Sequence, residues 1–136
     1  MSEHKLRISV KGIFKDANNR VLLVKLERNN QDFWSAPGGG VEENETVKDT
    51  LLRELREETG YSGEVGELIF VQDIRFSSGT RQLELFFEGT IDEQIDKKPE
   101  ERYQFFTEEE FGDIEFMPKD LNPFSEHKKI PFFSEI

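Results

Sequence analysis

Cysteine is absent from this 136-residue sequence. Its absence excludes disulfide bonds, thiolate nucleophiles, and zinc or iron–sulfur sites built on cysteine. A chain without disulfides suits the reducing interior of a cell, and its charged amino-terminal segment lacks the apolar stretch of a signal peptide. The sequence therefore predicts a cytoplasmic protein.

Long apolar runs are also missing. No stretch approaches the roughly 18 apolar residues that a membrane-spanning helix needs. A length of 136 residues matches one ordinary domain, and no repeat or low-complexity linker divides the chain. We therefore predict a single soluble domain over residues 1–136, with no membrane partner.

Basic residues are scarce relative to acidic ones. Eighteen Lys and Arg stand against 29 Asp and Glu, which gives a formal net charge of −11. Such a chain repels the phosphate backbone of DNA and RNA, so no nucleic-acid partner is predicted. A small substrate that carries phosphates would need a cation between itself and this protein, and a divalent metal ion is the obvious choice.

The residues that are present favour a sheet built from two hairpins. Residues 6–14 and 20–26 are rich in β-branched and apolar side chains and flank a turn-like segment. Residues 68–76 and 82–91 form a similar pair, the second of them with alternating apolar positions. A further short strand is predicted over residues 103–106.

One clear helix is predicted between the hairpins, over residues 45–59. Asn44 or Thr46 can cap its start, and Gly60 provides its end. Its buried stripe consists of Val47, Leu51 and Leu55. A helix with strands on both sides predicts an α+β or mixed α/β fold in which the helix packs on a sheet.

The carboxyl-terminal part of the chain has weaker signals. Thr107 can cap a brief helix, with Glu110 in the position that completes a capping box. From Pro118 onward the chain is rich in Pro and Phe, so an irregular but packed tail is predicted. Phe33 and Trp34 could stack on a nucleobase, but core or rim packing is the expected role of both rings.

The polar face of the main helix carries an unusual cluster of acidic residues. Glu54, Glu57 and Glu58 stand at i, i+3 and i+4, so their carboxylates share one patch about one turn long. Like charges repel at this spacing, and the helix dipole disfavours them near the carboxyl-terminal end. A solvated face with Arg53 and Arg56 as partners is one explanation, and a shared hard cation such as Mg²⁺ is the other.

The glycines upstream help to decide between these explanations. Pro37 is followed by three glycines, a composition that permits positive φ angles and close approach to a ligand. From Gly39 the order is five residues, Glu45, seven residues, and then the segment from Arg53 to Tyr61. This order resembles the Nudix box, G-x5-E-x7-R-E-U-x-E-E-x-G-U, where U is a bulky apolar residue. All seven glycine and charged positions match, and Tyr61 is an aromatic variant of the last one.

The resemblance implies a fold and an activity. The fold is a Nudix-type α/β/α sandwich with a mixed β-sheet and a loop–helix–loop catalytic element. The activity is metal-dependent hydrolysis, with Mg²⁺ or Mn²⁺, of the pyrophosphate linkage in a nucleoside diphosphate joined to another moiety. The partner is then a small nucleotide. Its identity stays open, as does the choice between monomer and homodimer.

The resemblance also implies roles for individual residues. Arg53 would orient the carboxylates, and Glu45 would make a structural contact back to the helix. The metal ligands would be three carboxylates and one backbone carbonyl, those of Glu54, Glu57, Glu58 and Gly38. Family members often recruit one more acid from a loop, and Glu100 or Glu101 is the candidate, with Glu100 preferred. The proton acceptor would be Glu54, Glu58 or this loop acid.

Two other functions compete with hydrolysis. A catalytically silent, nucleotide-binding sensor of the same fold is the first alternative, although such a protein would be expected to lose some of these carboxylates. A diphosphate isomerase is the second, and it ranks last because its relatives use a cysteine that this chain lacks. The remaining arginines are expected to be surface charges: Arg75, Arg81 and Arg102.

Overall fold

The sheet and helices follow the predicted order with two added strands. The structure is a computed structural model that describes residues 5–94 and 99–135. Its elements are β1 (Leu6–Lys15), β2 (Val21–Arg28), β3 (Gln31–Ser35), β4 (Gly38–Gly40), α1 (Val47–Thr59), β5 (Tyr61–Arg75), β6 (Arg81–Gln94), β7 (Tyr103–Phe106) and α2 (Glu108–Phe111). Neither of these helices has the length and apolar character that a bilayer crossing requires.

The strands form one mixed sheet. Its order is β3-β2-β1-β6-β5, with β4 also paired to β1 and β7 also paired to β2. β1 and β6 are parallel along the whole of β1, whereas the other pairs are antiparallel. The predicted mixed sheet is therefore confirmed, and β1 and β6 are its central pair.

The first predicted hairpin is closed only at its turn. The carboxylate of Asp16 accepts hydrogen bonds from the backbone N–H of Arg20, at 2.9 Å, and from its Nε, at 2.8 Å. Beyond the turn β1 and β2 pair only at Lys15 and Val21 and then diverge. β4 pairs with the freed side of β1. The segment from β3 to β4 therefore lies between the diverging strands, paired to β2 at one end and to β1 at the other.

The second predicted hairpin is confirmed and is longer than the sequence indicated. β5 begins already at Tyr61. The glycines near its start permit close contacts with neighbouring chain and do not end the strand. A Cβ on Gly63 would stand 2.1 Å from a backbone oxygen of β6, and one on Gly89 would stand 2.7 Å from the ring of Phe14. Bulges between the two strands absorb the irregular spacing.

The main helix starts two positions later than the predicted range. Of the two predicted caps, Asn44 and Thr46, it is Thr46 whose hydroxyl accepts a hydrogen bond from the N–H of Asp49, at 3.0 Å. Gly60 ends the helix with φ of 77° in the left-handed region. Glu45 lies outside the helix, which frees its side chain to turn back toward it.

The two faces of the sheet bury separate apolar clusters. The cluster under α1 contains Val10, Phe14, Leu51, Leu55 and Phe87. The opposite cluster contains Ile13, Phe86, Phe106, Phe116 and Leu121. The second face is covered by the four-residue α2 and by irregular chain after it, which confirms the packed tail. The ring of Trp34 meets that of Phe106 edge to face at 4.7 Å, so Trp34 is a packing residue as expected.

Replacing Gly38 by Ala should destabilise the fold. The new Cβ would lie 1.9 Å from the backbone oxygen of Val10, so β4 would have to move away from β1. Gly40→Ala is the matched control, because its Cβ meets only the flexible end of Arg7, at 3.1 Å. We expect Gly38→Ala to have a free energy of unfolding about 1–3 kcal/mol below that of the control, as measured by urea denaturation. Equal unfolding midpoints would contradict this packing argument.

Candidate active site

Three carboxylates of α1 lie along one border of its buried stripe. Leu51 and Leu55 are buried against the sheet, and Glu54, Glu57 and Glu58 follow on the adjacent side of the helix. The exposed fraction is 20% for the Glu54 side chain and 59% for that of Glu57. Glu54 therefore lies deeper in the site, whereas Glu57 stands at its rim.

Arg53 connects this patch to the loop before the helix. Its Nε and Nη2 donate to the two carboxylate oxygens of Glu45, at 2.8 and 3.0 Å. Its Nη1 donates to Glu54 at 3.3 Å and to Glu57 at 3.1 Å. One guanidinium thus contacts three carboxylates, in the forked geometry that arginine provides.

The Glu45–Arg53 pair shifts the protonation of both groups. Hydrogen bonds from Arg53 hold the pKa of the Glu45 carboxyl below its ordinary value of 4.5, and the hydroxyl of Thr50 donates to the same carboxylate at 3.3 Å. The same bonds raise the pKa of Arg53. The structure thus brings together the two residues for which the sequence suggested a contact.

Glu54 and Glu58 are neighbouring carboxyl groups one helical turn apart. Burial raises the pKa of Glu54, and the adjacent Glu58 carboxyl raises it further. A divalent cation placed beside both groups would relieve this repulsion, so the donor set fits a hard metal ion.

The candidate metal ligands do not converge on one point. Within residues 5–94 and 99–135, no group of three Asp, Glu or His side chains stands in ligating geometry. Arg53 holds Glu57, and Tyr103 holds Glu58.

Tyr103 is a site residue that the sequence did not reveal. Its hydroxyl donates a short hydrogen bond to a carboxylate oxygen of Glu58. Burial raises the pKa of the Tyr103 hydroxyl, and the bond to Glu58 adds to the shift. β7 pairs with β2, and this pairing places Tyr103 under the helix. No local pattern signals such a contact, because it joins residues far apart in the chain.

Glu100 lies beside Tyr103 rather than among the helix carboxylates. Its backbone oxygen accepts from the Tyr103 N–H at 3.0 Å. Its side chain is paired with Arg102 at 2.9 Å, and Arg102 lies over the ring of Tyr103, 5.2 Å from the centroid. Glu101 is exposed in the same loop. The loop acid therefore stays a candidate ligand at the edge of the site.

The glycine-rich segment is a short strand, not the positive-φ loop that its composition suggested. Within the part of the chain that the structure describes, the glycines with positive φ are Gly60 and Gly79. The glycines do permit a close approach, as expected. The group that approaches them is part of the protein and not a ligand. A Cβ on Gly39 would stand 2.7 Å from the carboxyl carbon of Glu54. Gly38, the candidate carbonyl ligand, is pressed against the backbone of β1.

Two further charged residues near the site were missed by sequence reasoning. Lys11 is partly buried on β1, and Glu84 is buried on β6. The amides of Gln72 and Gln82 both donate to the Glu84 carboxylate. Lys11 directly follows Val10, and Glu84 lies between Leu83 and Leu85. A charge beside apolar strand residues is the signal that could have identified them.

Glu45→Gln should destabilise the protein in a pH-dependent way. The native pKa of Glu45 lies below its unfolded value, so the charged carboxylate stabilises the fold at neutral pH. That contribution fades as the pH falls below 4.5, because the unfolded chain then binds the proton first. We expect the variant's melting temperature to be lower than that of the wild type at pH 7 and to approach it in acid. Glu43→Gln, an exposed neighbour, serves as the control, and a gap that does not change with pH would refute the pairing.

A sequence model of the NUDIX domain matches residues 5–130. An 8-oxo-dGTP diphosphatase of Proteus vulgaris is 42% identical over 62 residues, which cover 44% of this chain and 54% of that protein. The mouse protein named nucleoside diphosphate-linked moiety X motif 6 is 35% identical over 74 residues, or 54% of this chain and 24% of its own length. The chain thus spans about half or less of the length of these curated relatives.

Solved structures show the same fold. The NUDIX hydrolase from Nitrosomonas europaea superposes with a TM-score of 0.67 at 25% identity, covering 81% of this chain and 78% of that one. The two chains therefore share a fold over most of their length. Because the family match runs through nearly the whole sequence, this protein belongs to the NUDIX domain family.

Proposed function

We propose that this protein is a metal-dependent hydrolase that cleaves the pyrophosphate linkage of a nucleoside diphosphate joined to another moiety. The observation that carries the proposal is the pair of neighbouring carboxylates Glu54 and Glu58, which Arg53 and Tyr103 hold at one end of α1. A helix gains nothing in stability from this crowding. Affinity for a cation explains why the residues stand there.

Magnesium is the cofactor we propose, with manganese as the alternative, because hard divalent cations prefer carboxylate and carbonyl oxygens. The groups that would hold it are Glu54, Glu57, Glu58, the carbonyl of Gly38 and the loop acid Glu100. When bound, such a cation neutralises charge on diphosphate oxygens and makes a water molecule more acidic.

The protein side chains would hold the reacting groups in position and would accept a proton from the attacking water. Arg53 fixes Glu54 against the helix while Glu45 fixes Arg53, so the carboxylate is held before substrate arrives. Hydrolysis forms a bond from the water oxygen to phosphorus and breaks the bridging phosphorus–oxygen bond, and the water proton passes to a carboxylate. Glu54, Glu58 and the loop acid are the candidates for that proton acceptor.

The alternative is a silent nucleotide sensor, and the site favours the hydrolase. Nucleotide binding by itself does not need several carboxylates, whose charges repel phosphate. This chain keeps all three of them on α1 together with Arg53. The Proteus relative is named for 8-oxo-dGTP, so the substrate panel should contain normal and oxidised nucleoside triphosphates as well as dinucleotides, ADP-ribose and nucleotide sugars.

Glu58→Gln should leave the fold intact and lower turnover at least about 100-fold, because it removes a charge that holds the cation and accepts a proton. The assay measures phosphate released from the panel with Mg²⁺ or Mn²⁺, with and without added pyrophosphatase. Product identity then separates triphosphate from dinucleotide substrates. Glu67→Gln, the same substitution at an exposed position of β5, should keep wild-type turnover. Full activity in Glu58→Gln would overturn the assignment.

Metal affinity provides a second test that does not depend on finding the substrate. Titration of the wild-type protein with Mn²⁺, followed by electron paramagnetic resonance, should detect a bound ion. Glu54→Gln should weaken that binding about tenfold or more, since it removes a candidate ligand that lies deeper in the site than Glu57. An unchanged dissociation constant in Glu54→Gln, beside an unchanged one in Glu67→Gln, would contradict the proposed metal site.

A further inference from the structure

The outermost strand β5 has a free edge along its second half. β5 lies at one end of the strand order, with β6 as its neighbour on one side. On its other side the carbonyl of Leu68 accepts a hydrogen bond from the N–H of Ile130 at 2.8 Å, in the chain that follows α2. Within residues 5–94 and 99–135, no strand lies beside the part of β5 after this contact. Residues 70–75 therefore form an uncovered sheet edge.

The backbone groups of this edge alternate in direction. The N–H of Phe76 donates to the carbonyl of Thr80 at 2.8 Å and closes the β5–β6 hairpin. The register continues from there without a shift along the whole of the free edge. Every second residue of an antiparallel ladder bonds to its neighbour, so the N–H and carbonyl groups of Val71, Asp73 and Arg75 point outward. These groups can pair with another strand.

The free edge lacks the usual features that prevent strand pairing. Proline, lysine, bulges and covering segments are the common means. The bulges of β5 lie before residue 70, and the segment 69–75 contains neither proline nor lysine. Val71 even presents an apolar side chain that is 41% exposed. The charged residues of the edge are of opposite sign, so they restrict the choice of partner without excluding one.

These two charges are Asp73 and Arg75, whose side chains share one face of the strand. Arg81 of β6 donates to both carboxylate oxygens of Asp73, at 2.9 and 2.5 Å. A carboxylate has lone pairs for further donors. The register partner of Arg75 is Arg81, a like charge. Among the residues that the structure describes, the Arg75 side chain has no hydrogen bond and no ion pair within 4.0 Å. Arg75 therefore lacks an anion, and Asp73 can accept another cation.

A second copy of the same edge supplies both groups in one register. Antiparallel pairing of β5 with itself creates a twofold axis, and the position of that axis fixes which residues face each other. An axis at Asp73 or at Arg75 would set like charges against each other, which is destabilising. An axis at Gln72 would set Asp73 against Val71. An axis at Ile74 sets Asp73 of each copy against Arg75 of the other.

We propose that this protein forms a homodimer in which the β5 strands of two copies pair antiparallel about a twofold axis at Ile74. The pairing joins the two sheets into one continuous sheet. Outward backbone groups of both strands supply the hydrogen bonds, and the Asp73–Arg75 pairs select the register. This inference concerns assembly, and it does not depend on the proposed hydrolase function.

Charge variants test the facing pairs. Analytical ultracentrifugation of the full-length protein over a range of concentrations measures the dimer dissociation constant, and the wild type should dimerise reversibly. Arg75→Asp should weaken dimerisation about tenfold or more, because two like-charge pairs replace two opposite ones. Asp73→Arg should weaken it for the same reason. An equimolar mixture of the two variants should recover dimers, since every facing pair is then opposite in charge.

Cross-linking tests the position of the axis. The sequence contains no cysteine, so a single introduced thiol can react only with its copy. Ile74→Cys should give a disulfide-linked dimer on mild oxidation, because a non-hydrogen-bonded pair across the axis has Cα atoms about 4.5 Å apart. Val71→Cys is the matched control on the same edge. Its two copies would stand six residues out of register, about 20 Å apart, and should stay unlinked.

Each result supports or overturns the inference. A wild type that stays monomeric at every concentration would overturn it, and so would dimers that persist in Arg75→Asp or variants that do not associate when mixed. Equal cross-linking of Val71→Cys and Ile74→Cys would exclude the proposed axis. If a charge variant fails to fold, as judged by circular dichroism, the two cysteine variants decide the question by themselves.

Discussion

The structure around the site depends on one electrostatic constraint, the confinement of several carboxylates to the last turns of α1. Mutual repulsion and the helix dipole both oppose this arrangement. Arg53 offsets it through contacts to Glu54 and Glu57, and it is itself fixed by the bidentate bond to Glu45. The start of the helix follows from the same requirement, since Glu45 stays outside the helix and Thr46 caps it.

The divergence of β1 and β2 has the widest consequences for the fold. It allows the glycine strand to lie against β1, and Gly39 can then pass within contact distance of the Glu54 carboxyl because it has no side chain. A closed hairpin would have left no room for the glycine strand beside β1. The divergence of β1 and β2 and the placement of the site are therefore one structural feature.

Prediction from the sequence succeeded where contacts are local. The hydrophobic stripe of α1, its cap and its glycine end follow from neighbouring residues, as do the turn at Asp16 and the capping box at Thr107. β3 and β4 were missed, because three glycines carry no strand signal and the two aromatic residues of β3 make too short a run to indicate a strand by themselves. Their extended form depends on pairing with β2 and β1, which are distant partners. The predicted range of β5 was too short for a related reason. Its glycines permit close packing and do not interrupt the strand.

The sequence by itself determined that Glu54, Glu57 and Glu58 share a patch, because helical geometry converts a spacing of three and four residues into proximity. It also determined the distance from the glycines to that patch, and with it the family. Only the tertiary structure decided that Tyr103 holds Glu58, that Glu100 stands beside Tyr103, and that Gly39 approaches the Glu54 carboxyl. These contacts join strands from separate parts of the chain, and sheet pairing, which no local pattern specifies, is what brings them together.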